Sequence, residues 1–377
     1  MATHPYTSAP PRAFWSRSVA RDFAPAAVPD VPPFRLSRQD RFMSAGSCFA
    51  SNVRRYIEAA GLHYTVTERL HPLFAGAGQD GFYDAFSARY GNVYTARQMA
   101  QLLERVLGTF SLEEDRWVEG GTWIDPFRPG LRHRARSGRE FELLTAQHLA
   151  CVRRAVEESS VFIFTLGLTE AWVSRADGAV FPACPGTVSG TFDPDRHAFH
   201  DFSVDEVTED LVRLVTQARV LNPSLKVILT VSPVPLVATA TGRHVLVATT
   251  LSKSILRVAA DNAARSLPDV AYFPAYELVT GPQAPFETYQ PDRRNVAECA
   301  VAGVMSAFFA AYMEPADLSS YGSLQAISDR LPGVDQTANG LREALSTVVA
   351  AQCEEEMADP GMREAAVRCE ARLTAGS

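Results

Sequence analysis

A hydroxyl and a thiol stand side by side directly after a glycine in Ala45-Gly46-Ser47-Cys48-Phe49-Ala50. The stretch before them, 38–44, is short and mixed. The stretch after them, 52–60, places Val53, Tyr56, Ile57 and Ala60 on one helical face. Ser47 and Cys48 are therefore expected near the first turn of a helix. Unbonded N–H groups and the positive end of the helix dipole lie there, so a thiolate is favoured and an oxyanion can be held. The chemistry this points to is nucleophilic. The competing reading is structural: Gly46 permits a tight turn, Ser47 caps the helix and Cys48 is a small buried hydrophobe.

Further residues of suitable type lie in 87–94, where Arg89 and Asn92 precede a predicted helix and are placed to bind a substrate carboxylate or phosphate. Internal pairing of Arg89 and a turn at Asn92 explain them equally well. Lys253 and Arg257 are spaced i, i+4 and share a helix face, which reads as solvated surface. Trp117 and Trp172 fit either a sugar-binding surface or the core.

Composition narrows the function classes. The 377 residues carry 36 Lys+Arg against 43 Asp+Glu, a net charge of −7, with 46% hydrophobic residues. Nucleic acid and anionic membrane surfaces call for clustered basic residues, and none is evident. The first twenty residues hold no uninterrupted apolar stretch and no later run approaches a bilayer span, so a cytoplasmic protein without a membrane span is expected. Cys48, Cys151, Cys184, Cys299, Cys353 and Cys369 are scattered and form no CxxC pair, which argues against a disulfide scaffold and a zinc ribbon. No metal site is expected: His197 and His200 lack a third ligand at convincing spacing.

The elements that must position the candidate residues follow from periodicity. Residues 1–37 read as an extended arm, punctuated by Pro10-Pro11, Pro29 and Pro32-Pro33. Helices are predicted over 94–107, stopped by Gly108, and over 145–158, 204–222 and 251–267. Buried strands are predicted over 160–166, 225–231 and 270–273. Helix–strand alternation of this kind implies a three-layer α/β/α sandwich with a mostly parallel sheet over 38–314. Ligands bind beyond the carboxyl ends of such strands, which directs attention to 45–50, 167–172, 232–235 and 274–277. The Pro/Gly-rich excursion 178–201 reads as a long substrate loop or lid. Residues 315–377 read as a helical C-terminal tail, with helices over 340–357 and 361–373, that packs on the body or a second subunit to give a homo-oligomer and stays clear of the chemistry.

The segments FSARYGNVYTARQMAQLLERVLG (86–108), FTLGLTEAW (164–172), PACPG (182–186), VILTVSPVPLVAT (227–239), SKSILR (252–257) and YFPAYE (272–277), together with Gly46–Ala50, resemble in order those of the GSCFA family. That family sits within the SGNH/GDSL hydrolase superfamily. The resemblance covers about residues 5–312 and implies a doubly wound, flavodoxin-like fold. It places Cys48 in the superfamily's nucleophile position, and a one-residue shift would place Ser47 there. Gly167-Leu168-Thr169-Glu170 resembles the superfamily's Gly-x-Asn-Asp block, which implies oxyanion roles for Gly46, Gly167 and Thr169 and leaves Glu170 as a pocket carboxylate, a base or the orienter of one. Where the superfamily has Asp-x-x-His, this chain has Asp292-Arg293-Arg294-Asn295. Asn295 cannot take a proton at neutral pH, so the base is sought among His71, His197, His200 and His244. A cysteine needs a base less than a serine does, which favours Cys48.

The resemblance thus implies an esterase or O-acyltransferase acting on a glycan or other small hydroxylated substrate. No cofactor is required, and acyl-CoA is the natural donor for transfer. The alternative is a non-catalytic glycan- or ligand-binding protein with a degenerate site, for which Asn295 is the best evidence.

Overall fold

The computed structural model describes residues 4–47, 50–69, 86–131, 133–314, 317 and 357–359. The N-terminal arm is not simply extended: its prolines start short helical turns at Pro5–Ser8, Pro11–Ala13 and Pro25–Ala27, with α1 (Trp15–Ser18) among them. The chain then runs through β1 (Arg41–Gly46), α2 (Ser51–Ala59) and the two-residue β2 (His63–Tyr64). Thr95 caps α3 (Ala96–Leu107) by accepting from the N–H of Gln98 at 3.1 Å, and Gly108 closes it. A hairpin of β3 (Trp117–Glu119) and β4 (Thr122–Ile124) precedes α4 (Gly138–Glu158). That helix starts at its Ser137 cap rather than at residue 145, because a cap and not the apolar period sets a helix start.

After β5 (Val161–Leu166) come three short strands, β6 (Glu170–Ser174), β7 (Val180–Phe181) and β8 (His197–Asp201). A capping box between Ser203 and Glu206 opens α5 (Val204–Leu221), which leads to β9 (Lys226–Val231). Next are α6 (Val245–Ser266), β10 (Val270–Tyr272), α7 (Ala275–Thr280) and α8 (Glu298–Tyr312). The expected tail helices over 340–357 and 361–373 lie outside the described residues, except at residue 357.

β1, β2, β5, β9 and β10 form one parallel sheet in the spatial order β10-β9-β5-β1-β2. Ranked along the chain that order is 2-1-3-4-5, the flavodoxin-like winding, whose switch point falls between β1 and β5. Side-chain alternation builds the layers on either side. Phe42, Ile163, Ile228 and Ala271 pack with residues of α2, α7 and α8, whereas Met43, Phe162, Phe164 and Leu229 pack with residues of α3 to α6. Every position of β5 is buried, as a continuous apolar run requires. Each large side chain so covered contributes about 1.5–3 kcal/mol. The three-layer α/β fold is therefore present.

The excursion 178–201 is not a free loop. β7 and β8 pair antiparallel with β6, in the order β7-β6-β8, and the sheet so formed carries both histidines of the HAFH run on β8. Strand pairing between distant segments has no local period strong enough to announce it.

Candidate functional site

β1 and β5 are paired in register up to Gly46 and Thr165, and the approach there is close. Gly46 has φ of +148°, and a Cβ at this position would lie 2.5 Å from the carbonyl oxygen of Thr165. Glycine is required by both conformation and space. The segment leading to α3 crosses over this strand edge: Val93 N–H donates to the Gly46 carbonyl at 2.9 Å, and the N–H groups of Gly167 and Leu168 donate to the Tyr94 carbonyl at 3.0 and 3.1 Å. Ser232 N–H donates to the Leu166 carbonyl at 2.9 Å. The ends of β1, β5 and β9 are thereby tied together at the switch point.

Ser47 lies in this crevice. It is buried, and its Oγ has no hydrogen-bond partner among the described residues. The helix-cap reading does not hold: α2 begins after Ala50, without a side-chain cap bond, and only the carbonyl of Ser47 is used, by Ala50 N–H at 2.8 Å. Cys48 lies outside the described residues. The narrow cleft around Ser47, about 10 Å³, is lined by Tyr94, Gly167, Leu168, Ser232, Leu236 and Lys253, among others. A Cβ on Gly167 would stand 3.3 Å from Ser47 Cβ and 3.0 Å from the Tyr94 carbonyl oxygen, so this glycine is what allows the β5 end to abut the serine.

Lys253 is the residue that sequence reasoning missed. It is 1% exposed, and its Nζ donates to the carbonyl of Gly167. The surface reading suits only Arg257, half-buried, which pairs with Glu277 at 2.8 Å and lies over the Tyr272 ring. The neighbouring Ser252 is also buried, and its Oγ accepts from Thr169 N–H at 3.0 Å. The i, i+4 spacing was visible in the sequence, but nothing in it distinguished a face turned to solvent from one turned to the sheet edge.

A larger cavity of about 280 Å³ adjoins the cleft and shares Tyr94, Leu168 and Leu236 with it. Trp172, Phe181, Phe199, Cys184, Thr187 and Glu170 stand on its walls. Glu170 heads β6, accepting from Thr239 Oγ1 at 2.7 Å and from Ala240 N–H at 3.1 Å. Burial raises its carboxyl above the ordinary range, against those two hydrogen bonds. Trp172 is held edge-on between Phe192 and Phe199, with ring centroids at 5.1 and 5.7 Å. Ala358, from the segment read as a tail remote from the chemistry, also lines this cavity.

The other candidates are placed elsewhere. Thr169 is buried, and its hydroxyl donates to Asp201 Oδ1 at 2.7 Å. His200 meets Glu206 at 2.8 Å, while buried His197 meets Glu114 at 3.1 Å. His244 is exposed and caps α6, its Nδ1 accepting from Leu246 N–H at 3.2 Å. His71 lies outside the described residues. No described histidine lines the Ser47 cleft.

Arg89 is buried beside a separate cavity of about 110 Å³ with Glu68, Asp125 and Arg128, and its N–H donates to Glu68 at 2.8 Å. Asn92 is buried, its carbonyl accepting from Gln98 at 3.0 Å, one residue before the Val93 that ties down Gly46. Asn295 donates to Asp292 at 2.6 Å within an exposed turn. The structure thus gathers Ser47, Gly46 and Gly167 with the unpredicted Lys253, sets Glu170 in the adjoining cavity, and leaves the described histidines and Arg89 apart. No group of three or more His, Cys, Asp or Glu with metal-site geometry occurs among the described residues. No helix among them is long and apolar enough to cross a membrane.

Comparison with known proteins gives a family. No curated protein matches the sequence. Among solved structures, a family 3 carbohydrate esterase of Clostridium thermocellum is 11% identical, with 73% of this chain and 94% of that one covered at a TM-score of 0.31. A carbohydrate esterase family 3 protein from Talaromyces cellulolyticus is 12% identical, with 77% and 99% covered at a TM-score of 0.33. Likeness that loose carries no functional weight. The GSCFA family, in contrast, matches residues 41–308, which include the glycine, serine and buried lysine of the cleft; the chain belongs to the GSCFA family.

Proposed function

We propose that this protein performs acyl-ester chemistry, cleaving or transferring an acyl group carried by a glycan or other small hydroxylated molecule, with the nucleophile in Ser47–Cys48. The observation that carries this reading is the Ser47 hydroxyl, buried at the switch point and without a hydrogen-bond partner among the described residues. Buried hydroxyls are nearly always bonded, and an exception calls for a reason. A nucleophile that must reach an acyl carbon supplies one.

Two features support the same reading. Gly167 lets the end of β5 abut Ser47, since a Cβ there would stand 3.3 Å from Ser47 Cβ. The adjoining cavity offers aromatic faces beside one carboxylate and three threonine side chains, a lining suited to a sugar ring that stacks and hydrogen-bonds at once. Glu170 acts there as an acceptor for substrate hydroxyls. Hydrolysis needs only water as acceptor, whereas transfer takes acyl-CoA as donor.

Intact-protein mass spectrometry tests this after exposure to p-nitrophenyl acetate and, separately, acetyl-CoA. The expected result is a single acetyl adduct, mapped to Ser47 or Cys48 and lost in the matching Ser47→Ala or Cys48→Ala variant. Folded wild type without an adduct from either reagent would overturn the reading. That outcome would favour a ligand-binding protein, with which the Asp292–Asn295 turn agrees because the Asn295 amide cannot take a proton.

A further inference from the structure

Lysine is among the residues least often buried, and its long stem normally carries the amine out to water. Lys253 is instead buried on α6, and its Nζ donates to the carbonyl of Gly167. Ser252, the residue before it, is equally buried, and its Oγ accepts from Thr169 N–H at 3.0 Å. Two consecutive side chains of one helix thus hold both ends of the three-residue segment 167–169. Its other contacts restrain it from the far side. The N–H groups of Gly167 and Leu168 both donate to the Tyr94 carbonyl, at 3.0 and 3.1 Å, and the Thr169 carbonyl accepts from Phe202 N–H at 2.9 Å. All three N–H groups of the segment are therefore engaged. The segment abuts Ser47, since a Cβ on Gly167 would stand 3.3 Å from Ser47 Cβ.

We propose that Ser252 and Lys253 are positioning residues for Ser47, a role that rests on the acyl-ester reading above. They act through the backbone of 167–169, which they fix as the wall of the cleft against which Ser47 is set. Donation to the Gly167 carbonyl needs one N–H, which an ammonium and a neutral amine both carry, so the role is the same in either protonation state and whatever else Nζ meets.

The physical reason is the cost of an unmet carbonyl. Gly167 is buried, and removing the Nζ donor takes away the hydrogen bond its carbonyl accepts from α6. The Gly167 peptide then turns to find another donor, and the wall beside Ser47 moves with it. A displacement of about 1 Å at a reacting group costs about 100-fold in rate. Ser252 restrains the same segment two residues further on, through one neutral hydrogen bond, so its share is smaller.

The test is p-nitrophenyl acetate turnover by the full chain as wild type, Lys253→Met, Ser252→Ala, Gly167→Ala and the double variants of each α6 change with Gly167→Ala, with the fold of each checked by circular dichroism. Methionine keeps the stem and removes the donor, so Lys253→Met is expected to lower kcat about 100-fold with KM little changed. Ser252→Ala is expected to lower kcat about tenfold. Two readouts separate positioning from a structural or proton-transfer role. Because Lys253 acts through Gly167, Lys253→Met with Gly167→Ala should lose no more than the worse single variant, about 100-fold, and not the about 10⁴-fold of independent effects. The pH profile of kcat should keep its wild-type shape in Lys253→Met, since no proton-transferring group is removed. Multiplying losses, a missing arm of the pH profile, or wild-type kcat in folded Lys253→Met would each overturn the proposal. Where Lys253→Met does not fold, the Ser252→Ala cycle with Gly167→Ala decides by the same criterion. Wild type that turns over ester while the Lys253 and Ser252 variants match it sinks only this inference, whereas wild type with neither turnover nor adduct sinks the acyl-ester reading with it.

Discussion

Single residues set the site's tolerances. Gly46 sits where any side chain would meet backbone, 2.5 Å from the Thr165 carbonyl oxygen. Gly46→Ala is expected to destabilise the fold by about 2–4 kcal/mol, because a strained φ and a backbone clash act together. Gly167 differs, since its added methyl would press on Ser47 Cβ at 3.3 Å and leave φ unstrained. Gly167→Ala should therefore cost about 1 kcal/mol of stability yet lower esterase turnover about 100-fold, as misplacement of a reacting group does. Urea unfolding and p-nitrophenyl acetate kinetics on the two variants would separate these outcomes. Equal losses of stability would contradict the assignment of strain to Gly46 alone.

Between elements, buried charge does the joining. Glu68, which follows β2, accepts from the Arg89 N–H in the segment before α3 and meets His148 of α4 at 2.7 Å, with Arg128 at 3.8 Å. Burial alone would raise its carboxyl, but His148, Arg128 and the Arg89 N–H together hold it at about 2. An acid whose folded pKa is depressed contributes stability above its unfolded value, and that contribution is lost as pH falls through the folded one. Between about pH 4.5 and 2 the protein should thus lose about 3 kcal/mol of unfolding free energy through this group. Glu68→Gln should flatten that part of the pH–stability curve while lowering stability at neutral pH, measurable by urea titration at several pH values. A wild-type curve without slope in this window would show that the cluster does not link α4 to the sheet in this way.

At the scale of the whole molecule, two sheets divide the work. The parallel sheet fixes Ser47, Gly167 and Ser232 at its edge, and the small antiparallel sheet holds Trp172 and Glu170 over the neighbouring cavity. Trp172 is only partly buried, so Trp172→Ala is expected to leave the thermal midpoint within about 2 °C of wild type. The same change should raise KM for an O-acetylated methyl hexopyranoside about tenfold, with p-nitrophenyl acetate kinetics little altered. Equal effects on both esters would place Trp172 outside substrate recognition.

The sequence by itself determined the layered fold and the glycine-serine position at its functional edge. Continuous apolar runs at 160–166 and 225–231 and helical spacing at 94–107 and 204–222 are local patterns, readable without knowing what packs against them. Partners distant along the chain decided the rest. Helix α6 exposes Leu246 and Val247, 68% and 56% accessible, while it buries Lys253, so its composition points the wrong way about which face is inside. The histidines of 197–200 read as loop residues because nothing local marks strands that pair across the Pro/Gly-rich excursion. Only the crossing of α6 over the ends of β5 and β9 brings Lys253 to Ser47. Such a meeting depends on the sheet's strand order and the path of the helix, which no spacing within either segment records.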